Sequence, residues 1–207
     1  AGYRDLAGPT ANQGKGWNPI GDPYPFTGSL DGQGYEITDL SIERPETYVG
    51  LFSQVYPGGV IQNLGVVNAD VNGDLGTNAR PSVGSLVGAN FGTVNDCYST
   101  GIVTGDSYVG GLVGVNGGTV SNSCFGGSIS GDASVGGLVG TNGGTVGNSH
   151  YNCDEVLING ENMITIGALF SEDFDEWLAN DKFLDVNERL SEENGYYLIN
   201  DVNDFKQ

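Results

Sequence analysis

A sequence repeat of 26 residues in the middle of the chain constrains the fold more than any other feature. Segments starting at Ser82, Tyr108 and Ser134 read "SVGSLVGANFGTV", "YVGGLVGVNGGTV" and "SVGGLVGTNGGTV". A fixed period of this length indicates a repeat architecture, in which each unit is one supersecondary block. The recurring positions are Val83, Val109 and Val135; Leu86, Leu112 and Leu138; Asn90, Asn116 and Asn142; Thr93, Thr119 and Thr145; and Val94, Val120 and Val146.

The repeated unit predicts β-strands. The adjacent glycines in "GGLVG" and "GGT" disfavour a helix, because each glycine costs about 1 kcal/mol in a helix interior. The segments "VGGLVG", "GTVSNS" and "GSISG" are typical of short strands separated by Gly and Asn turns. We therefore predict an all-β fold, a β-solenoid (β-helix) with coils of about 26 residues stacked ~4.8 Å apart. Equivalent Val and Leu side chains would fill the interior, and equivalent asparagines would form a ladder of amide hydrogen bonds.

The repeat continues upstream in degenerate form. A related unit starts at Tyr48, an insertion follows over residues 75–81, and an earlier unit spans residues 25–43. We predict about five to six coils between Trp17 and Cys153. The predicted domains are a β-solenoid repeat domain over residues 1–153, with regular coils at 82–153, and an acidic C-terminal cap or junction over 154–207. The predicted core residues of the first unit are Phe26, Leu30, Ile37, Leu40 and Ile42.

The C-terminal region differs from the repeats in kind. The segment 171–190 predicts a helix, with Ser171 as its N-cap and acidic residues in the first turn. Phe174, Trp177 and Leu178 fall on one face of that helix. The segment "ENMITIGALF" before it predicts a last strand. Because an open solenoid end exposes strand edges, we expect this region to cover the end or to join the next unit.

The charge excludes several classes of partner. The net charge of −19 repels nucleic acid and anionic membrane surfaces, so no nucleic acid partner and no direct membrane insertion are expected. No run of 18 apolar residues is present. Between Ser82 and Cys153 the charged residues are Asp96, Asp106 and Asp132 alone. The chain begins at Ala1, which fits a mature secreted protein or an excised fragment.

Two of the repeats resemble a known family. The sequences "VGGLVGVNGGTVSNS" and "VGGLVGTNGGTVGNS" are similar to the GLUG motif, and "WNPIGDPYPFTGSLDGQGYEITDLSI" resembles the segment that commonly precedes such repeats. The resemblance covers residues 17–152. It implies a part of a secreted or surface-attached, adhesin-like bacterial or archaeal protein, and it brings no catalytic residues.

The two ends of the chain resemble parts of one unit. Residues 195–207, "GYYLINDVNDFKQ", look like the opening of a further unit, which "YRDLAG" and "WNPIG" near the N-terminus would continue. The expected partners are therefore copies of the chain docked head to tail, or adjacent modules of a longer array. The residues predicted to form this assembly interface are Tyr3, Leu6, Tyr196, Tyr197, Ile199 and Phe205.

A column of aspartates is the candidate metal site. Asp74, Asp106 and Asp132 follow glycine at equivalent points of successive coils. One interpretation is turn chemistry, because Gly-Asp favours tight turns. The other is a stack of carboxylates that binds calcium, which prefers oxygen ligands. Calcium is the one cofactor the pattern suggests.

No catalytic residues are predicted. Asp31, Glu36 and Asp39 lie close together in sequence, but the regular coils contain no Arg, Lys or Glu to converge with them. His150 occupies an ordinary repeat position, which predicts a structural role. We expect no enzyme activity.

The cysteines are odd in number and do not align. Cys97 and Cys124 occupy neighbouring positions of the repeat, and adjacent strand positions point to opposite faces. Buried thiols are the favoured interpretation. One bridge, for example Cys124 with Cys153, or a bridge between chains, is the alternative.

We therefore predict a non-enzymatic extracellular or cell-surface module with a structural or adhesive function, which assembles head to tail into a fibre, sheath or surface layer. The alternative is a carbohydrate-binding or polysaccharide-cleaving β-solenoid that recognises surface glycans. That alternative predicts a strip of exposed aromatics beside carboxylates, with Tyr48, Tyr56, Tyr98 and Tyr108 as its members. Ice binding is disfavoured, since the threonine column is only one residue wide.

Overall fold

The computed structural model describes residues 8–73 and 81–180, and the backbone of two further strands at 191–193 and 196–198. Parallel strands from successive coils stack on one another and form three sheets around a common interior. The predicted fold class, an all-β solenoid with a short C-terminal helix, is confirmed.

The strands follow the coils in chain order, and each coil is named here by its residue range. Coil 1 (residues 17–43) holds β1 (Ser29–Thr38) and β2 (Ser41–Glu43). Coil 2 (48–73) holds β3 (Tyr48–Val49), β4 (Phe52–Val55) and β5 (Val60–Asn72). Coil 3 (82–104) holds β6 (Ser82–Gly84), β7 (Val87–Asn90), β8 (Thr93–Asn95) and β9 (Tyr98–Thr104).

The next two coils repeat the pattern of coil 3. Coil 4 (107–130) holds β10 (Ser107–Gly110), β11 (Val113–Asn116), β12 (Thr119–Ser121) and β13 (Cys124–Ser130). Coil 5 (133–158) holds β14 (Ala133–Gly136), β15 (Val139–Asn142), β16 (Thr145–Gly147), β17 (His150–Asn152) and β18 (Leu157–Ile158). Outside the coils lie a single turn α1 (Ala11–Gly14), strand β19 (Ala168–Leu169), helix α2 (Ser171–Ala179), and the antiparallel pair β20 (Ser191–Glu193) and β21 (Tyr196–Leu198).

The sheets preserve the register of the sequence repeat. Sheet 2 has the order β14-β10-β6-β3, and sheet 3 has the order β15-β11-β7-β4. Sheet 1 contains the remaining strands of the coils together with β19. Val109 pairs with Val83 and Val135, and Val113 pairs with Val87 and Val139. Side chains that are equivalent in sequence therefore stack directly on one another.

Apolar columns fill the interior of the stack, as the repeat predicts. One column contains Leu51, Leu86, Leu112 and Leu138, all at most 2% exposed. In coil 1, Leu40 and Ile42 are buried, and Phe26, Leu30 and Ile37 pack against the core. The core residues predicted for that coil are therefore in the core.

Two interior glycines make room for aromatic rings. A Cβ on Gly111 would overlap the ring of Phe125 in the same coil, and a Cβ on Gly137 would lie 2.5 Å from the ring of Tyr151. In coil 3 the corresponding positions hold the small pair Ser85 and Ser99, both buried. In coils 4 and 5 a glycine therefore faces an aromatic ring, whereas in coil 3 a serine occupies each of the two positions.

Asparagine and aspartate form one corner of coils 2 to 5. The equivalent residues Asn63, Asp96, Asn122 and Asn148 have φ values of 53°, 49°, 50° and 47°. This left-handed backbone is tolerated best by Gly, Asn and Asp among the amino acids. The corner explains why the repeat keeps Asn or Asp after the strand of the "GTV" segment.

The C-terminal helix differs from its prediction in its start and its extent. Ser171 is the first helical residue, and Phe170 occupies the N-cap position without a side-chain cap. The first turn is held from outside the helix, because the backbone N–H of Ser171 donates to Asp154 Oδ2 at 2.8 Å. Helix α2 ends at Ala179, and residues 181–190 lie outside the described part. The segment predicted as a last strand forms only the two residues of β19.

The predicted domain boundary at residues 153 and 154 stays a prediction. Strands of the stack occur on both sides of it, since β18 pairs with β13 and β19 pairs with β17. Coil 5 therefore ends at Ile158, a few residues beyond the proposed boundary.

Candidate functional site

The C-terminal end of the stack is the first candidate site. Within the described residues, β14, β15 and β16 are the terminal strands of their ladders. These strands repeat the residues of coil 4 and pair with it in register, as Val139 does with Val113. Their outer edges are therefore ready to accept a further parallel strand.

A short segment after coil 5 crosses the centre of this end. Thr165 Oγ1 accepts the backbone N–H of Gly137 at 2.9 Å, and the N–H of Thr165 donates to Tyr151 Oη at 2.7 Å. The segment seals the core at that point, where Leu138 is fully buried. Its other side chains face outward: Met163, Ile164 and Ile166 are 42%, 71% and 48% exposed.

The predicted asparagine ladder is present and ends at the same place. Asn90 Nδ2 donates to Asn116 Oδ1 at 2.8 Å, and Asn116 Nδ2 donates to Asn142 Oδ1 at 2.8 Å. Asn90 and Asn116 are fully buried, whereas Asn142 is half-buried. The ladder therefore runs through coils 3, 4 and 5 in one direction.

An outer groove on sheet 1 is the second candidate site. It has a volume of about 750 Å³ and lies between the strands β9 and β13 and the helix α2. Tyr98, Thr100 and Cys124 line its floor, and Phe174 and Leu178 of α2 form one wall. Gly126 also lines the groove, and a Cβ there would meet only Thr100 Cγ2, at 3.7 Å. The rest of the lining is Asn68, Ser99, Gly101, Phe125, Gly127, Asn152, Glu155 and Val156.

Tyr98 is fixed across the sheet by a carboxylate of coil 1. Its hydroxyl donates to Glu36 Oε1, and its ring passes over Gly65, where a Cβ would lie 2.5 Å from the ring. The hydrogen bond to Glu36, together with burial and the Glu36 charge, raises the pKa of Tyr98 to about 12. Tyr98 is therefore a neutral, rigid donor at neutral pH.

His150 follows Tyr98 and Cys124 in the same outer row, since Cys124 pairs with both. The indole of Trp177 packs edge-on against its imidazole, with ring centroids 5.0 Å apart. Trp177 Nε1 also donates to Asn148 Oδ1 at 2.7 Å. Burial lowers the pKa of His150 to about 4, so the imidazole is neutral and holds α2 against coil 5.

Hydrogen bonds within the fold occupy the carboxylates considered for catalysis. Asp31 accepts the N–H of Gln33 and the side-chain amides of Gln62 and Asn63. These bonds, that of Asn63 first, hold the pKa of Asp31 below its ordinary value. Asp39 Oδ1 accepts Asn68 Nδ2 at 2.7 Å. Each carboxylate thus stabilises a corner of the first coils.

The calcium site stays a prediction. Asp106 and Asp132 lie in adjacent coils, and the N–H of Asp132 donates to the Asp106 carbonyl at 2.9 Å. Asp106 is half-buried and Asp132 is exposed, while Asp74 lies outside the described residues. No group of three or more His, Cys, Asp or Glu side chains with the geometry of a metal site occurs in the described part.

The predicted assembly interface lies beyond what the structure describes. Tyr3, Leu6, Ile199 and Phe205 are outside the described residues, and Tyr196 and Tyr197 are described only as backbone of β21. The interface therefore stays a prediction.

The four tyrosines considered for glycan binding do not form one strip. Tyr48 and Tyr108 lie in β3 and β10 of sheet 2, Tyr98 lies in sheet 1, and Tyr56 follows β4 of sheet 3. Only Tyr98 lines the groove. The three cysteines are thiols, with Cys97 and Cys153 buried and Cys124 half-buried.

Sequence reasoning missed the groove and the exposed segment with Ile164 and Ile166. The groove depends on where α2 docks, and no local pattern encodes that position. A signal for the segment was present, since an apolar "MITI" run follows the last repeat and precedes a Gly.

The model of a protein family described as the GLUG motif matches residues 79–104, which include the "SVGSLVGANFGTV" unit of coil 3. The match covers one coil of the chain. The same motif recurs in coils 4 and 5, where the strand register places its residues on those of coil 3.

Two relatives are similar to part of this chain. Halomucin from Haloquadratum walsbyi is 40% identical over 103 residues, which are 47% of this chain and 1% of halomucin. A candidate Gly-rich membrane protein from Evansella cellulosilytica is 37% identical over 98 residues, which are 45% of this chain and 10% of that protein. The matches thus span a small part of each relative.

One solved structure has a similar fold. It is the crystal structure of a candidate immunoglobulin A1 protease from Bacteroides ovatus, with a TM-score of 0.54 and 17% identity. The likeness covers 89% of this chain and 81% of that one, and at this identity it bears on the fold alone. No helix in the described residues is long and apolar enough to span a bilayer.

Proposed function

We propose that this chain is a non-enzymatic, cell-surface module whose function is structural: its coils stack into a rigid rod that takes part in assembly or adhesion. The observation that carries this proposal is the in-register stack that ends in β14, β15 and β16. Their sequences resemble those of coil 4 and pair with it in register, which supports stacking of a further coil on the part of this end that the segment around Thr165 leaves uncovered.

Two further observations support the proposal. The relatives with shared sequence are named halomucin and a Gly-rich membrane protein, names that place one of them at a membrane. In the described residues, the carboxylates considered for catalysis are used in hydrogen bonds that hold corners of the fold. These hydrogen bonds give Asp31 and Asp39 a structural role in the first coils.

The experiment is a measurement of mass by light scattering across protein concentration, with negative-stain microscopy of the same samples. We expect species of high mass that grow with concentration and form filaments or sheets. A monomer at every concentration would contradict self-assembly. Assembly should be stronger at higher ionic strength, since screening reduces the repulsion between chains of net charge −19.

Carbohydrate binding is the second candidate function, and the outer groove favours it. The groove combines the aromatic rings of Tyr98 and Phe174 with the polar side chains of Thr100 and Glu155. Aromatic faces and a few polar groups are typical of a small-molecule site. The test is binding of soluble glycans to the chain and to Tyr98→Ala, with Tyr56→Ala as the control outside the groove. Equal binding by both variants would exclude this groove.

A further inference from the structure

The asparagine ladder is incomplete at the C-terminal end of the stack. In coil 4 the Asn116 amide donates to Asn142 Oδ1 at 2.8 Å and to the Thr145 carbonyl at 3.1 Å, both in the following coil. The Asn142 amide donates to the Gly144 carbonyl in its own coil at 3.3 Å. No strand follows β15 in sheet 3 within the described residues. A further coil would supply Asn142 with the two acceptors that Asn116 has.

Away from Gly137 to Val139, which the segment around Thr165 covers, the edge at this end lacks the usual protection against pairing. Natural edge strands are blocked by charges, by proline or by a covering segment. Strands β14, β15 and β16 contain neither a charged residue nor a proline. The N-terminal end differs, because Pro23 and Pro25 lie there and Ile20 and Phe26 bridge to β4. The two ends of the stack are therefore not equivalent.

An apolar surface adjoins the same edge. Met163, Ile164 and Ile166 are exposed on the segment that crosses the end of coil 5, on either side of the buried contact of Thr165. A terminal cap of a repeat protein normally presents a polar outer face. Exposed apolar side chains beside open strand edges are instead typical of an interaction surface.

We propose that this end binds a parallel β-strand from another coil of this repeat, with the sequence Gly-x-Asn in register with Gly140–Asn142, beyond the part that the segment around Thr165 covers. The inference rests on the proposed structural function and names its partner. The asparagine of the incoming strand accepts a hydrogen bond from Asn142 Nδ2 and extends the ladder by one step.

This partner is selected by chemistry as well as by shape. Any extended peptide can pair with an edge through its backbone. A strand with an acceptor side chain such as asparagine at the ladder position gives the Asn142 amide a partner in the next coil, whereas an apolar residue leaves it with the Gly144 carbonyl of its own coil as the edge becomes buried. At the other end of the ladder, the coil 2 residue that pairs with Asn90 is Val55. The ladder therefore begins at Asn90.

The test uses the full chain and a synthetic peptide with the sequence of residues 114–121, which matches Gly140–Gly147 in register. Hydrogen exchange is followed by mass spectrometry with and without the peptide. We expect slower exchange over residues 139–147 and no change in β1. A peptide with Val in place of its asparagine should bind at least about tenfold more weakly, because the Asn142 amide then lacks a partner in the next coil.

Variants of the chain provide the matched comparison. Asn142→Val should lose the preference for the asparagine peptide. Thr141→Val should retain it, because coil 4 carries Val115 at the equivalent position and therefore accommodates a valine. Both changes lie on the same strand, so a general disturbance of β15 would affect them alike.

Three results would overturn the proposal. The first is no change in exchange over 139–147 at any peptide concentration, and the second is equal binding of the asparagine and valine peptides. The third is slow exchange, before peptide is added, of the amides in 139–147 other than those of Gly143, Gly144 and Thr145, which already donate to coil 4. Each is separate from the proposed function, because light scattering on the chain without peptide measures self-assembly independently.

Discussion

Exchanging the glycine and the ring of coil 4 for the serine pair of coil 3 tests how the interior is packed. The changes are Gly111→Ser, Phe125→Ser and the double variant. Gly111 has no room for a Cβ beside Phe125, whereas Ser85 fits beside Ser99 in coil 3. Steric exclusion between the two positions should therefore make their effects strongly non-additive.

The magnitudes follow from the burial of the two positions. Gly111→Ser alone forces side-chain atoms into the ring and should destabilise the fold by about 1–3 kcal/mol. Phe125 is 1% exposed, so Phe125→Ser alone should cost about 3–5 kcal/mol through lost burial and the cavity left behind. In the double variant the new hydroxyl has the space of the ring.

The new serine also has a hydrogen-bond partner. In coil 3 the Ser85 hydroxyl donates to the Gly111 carbonyl at 2.5 Å in the following coil. A serine at position 111 would donate to the Gly137 carbonyl in the same way. A Cβ at position 111 would still lie 2.4 Å from the Gly137 carbonyl oxygen, so the double variant should recover part of the cost of Gly111→Ser, with a coupling free energy of about 1 kcal/mol.

The assay is equilibrium unfolding in urea, followed by circular dichroism, for the wild type and all three variants. Additive effects, within about 0.5 kcal/mol, would refute the reasoning, because independent sites add to that precision. Mass spectrometry of the folded variants under native conditions controls for changes in assembly that would also shift the midpoint.

Three other predictions follow from the stack and its outer row. Inserting a second copy of residues 107–132 after Asp132 should raise the urea midpoint, because the added coil has the register of its neighbours and adds an interface. Burial lowers the pKa of His150 to about 4, below its value in the unfolded chain, so its contribution to stability is present above about pH 6.5 and is lost as the pH falls towards 4. Melting temperatures between those limits should fall more steeply for the wild type than for His150→Gln, and parallel curves would contradict this. The pKa of Tyr98 is raised to about 12, so an ultraviolet titration should show one tyrosine that ionises late, and Glu36→Gln should move that ionisation to lower pH.

The sequence predicts most of the fold because its information is repeated. Val83, Val109 and Val135 recur at one spacing, and parallel in-register stacking is the arrangement that buries all three at once. The asparagine ladder follows from the same argument, since Asn90, Asn116 and Asn142 must then lie above one another.

The outer row and the helix could not be predicted in this way. The contact of Trp177 with His150 joins a single helix to one coil, and nothing in the repeat encodes it. Likewise, Asp154 holds the first turn of α2 from a separate segment, whereas the local pattern favours Ser171 as the cap. Features that occur once depend on docking geometry, which a periodic pattern does not contain.

In-register stacking also explains where the charge of the molecule lies. Each residue of a coil faces the equivalent residue of its neighbours, so an apolar residue produces a core column and an asparagine produces a ladder. A lysine or glutamate at a repeated position would produce a column of like charges, which is destabilising when the charges face each other directly. The coils between Ser82 and Cys153 contain no Lys, Arg or Glu, and among their aspartates only Asp106 and Asp132 occupy equivalent positions in neighbouring coils. The acidic residues that give the chain its charge are therefore concentrated outside the regular coils. The terminal strands β14, β15 and β16 contain no charged residue, so a similar strand could pair with them without repulsion between like charges.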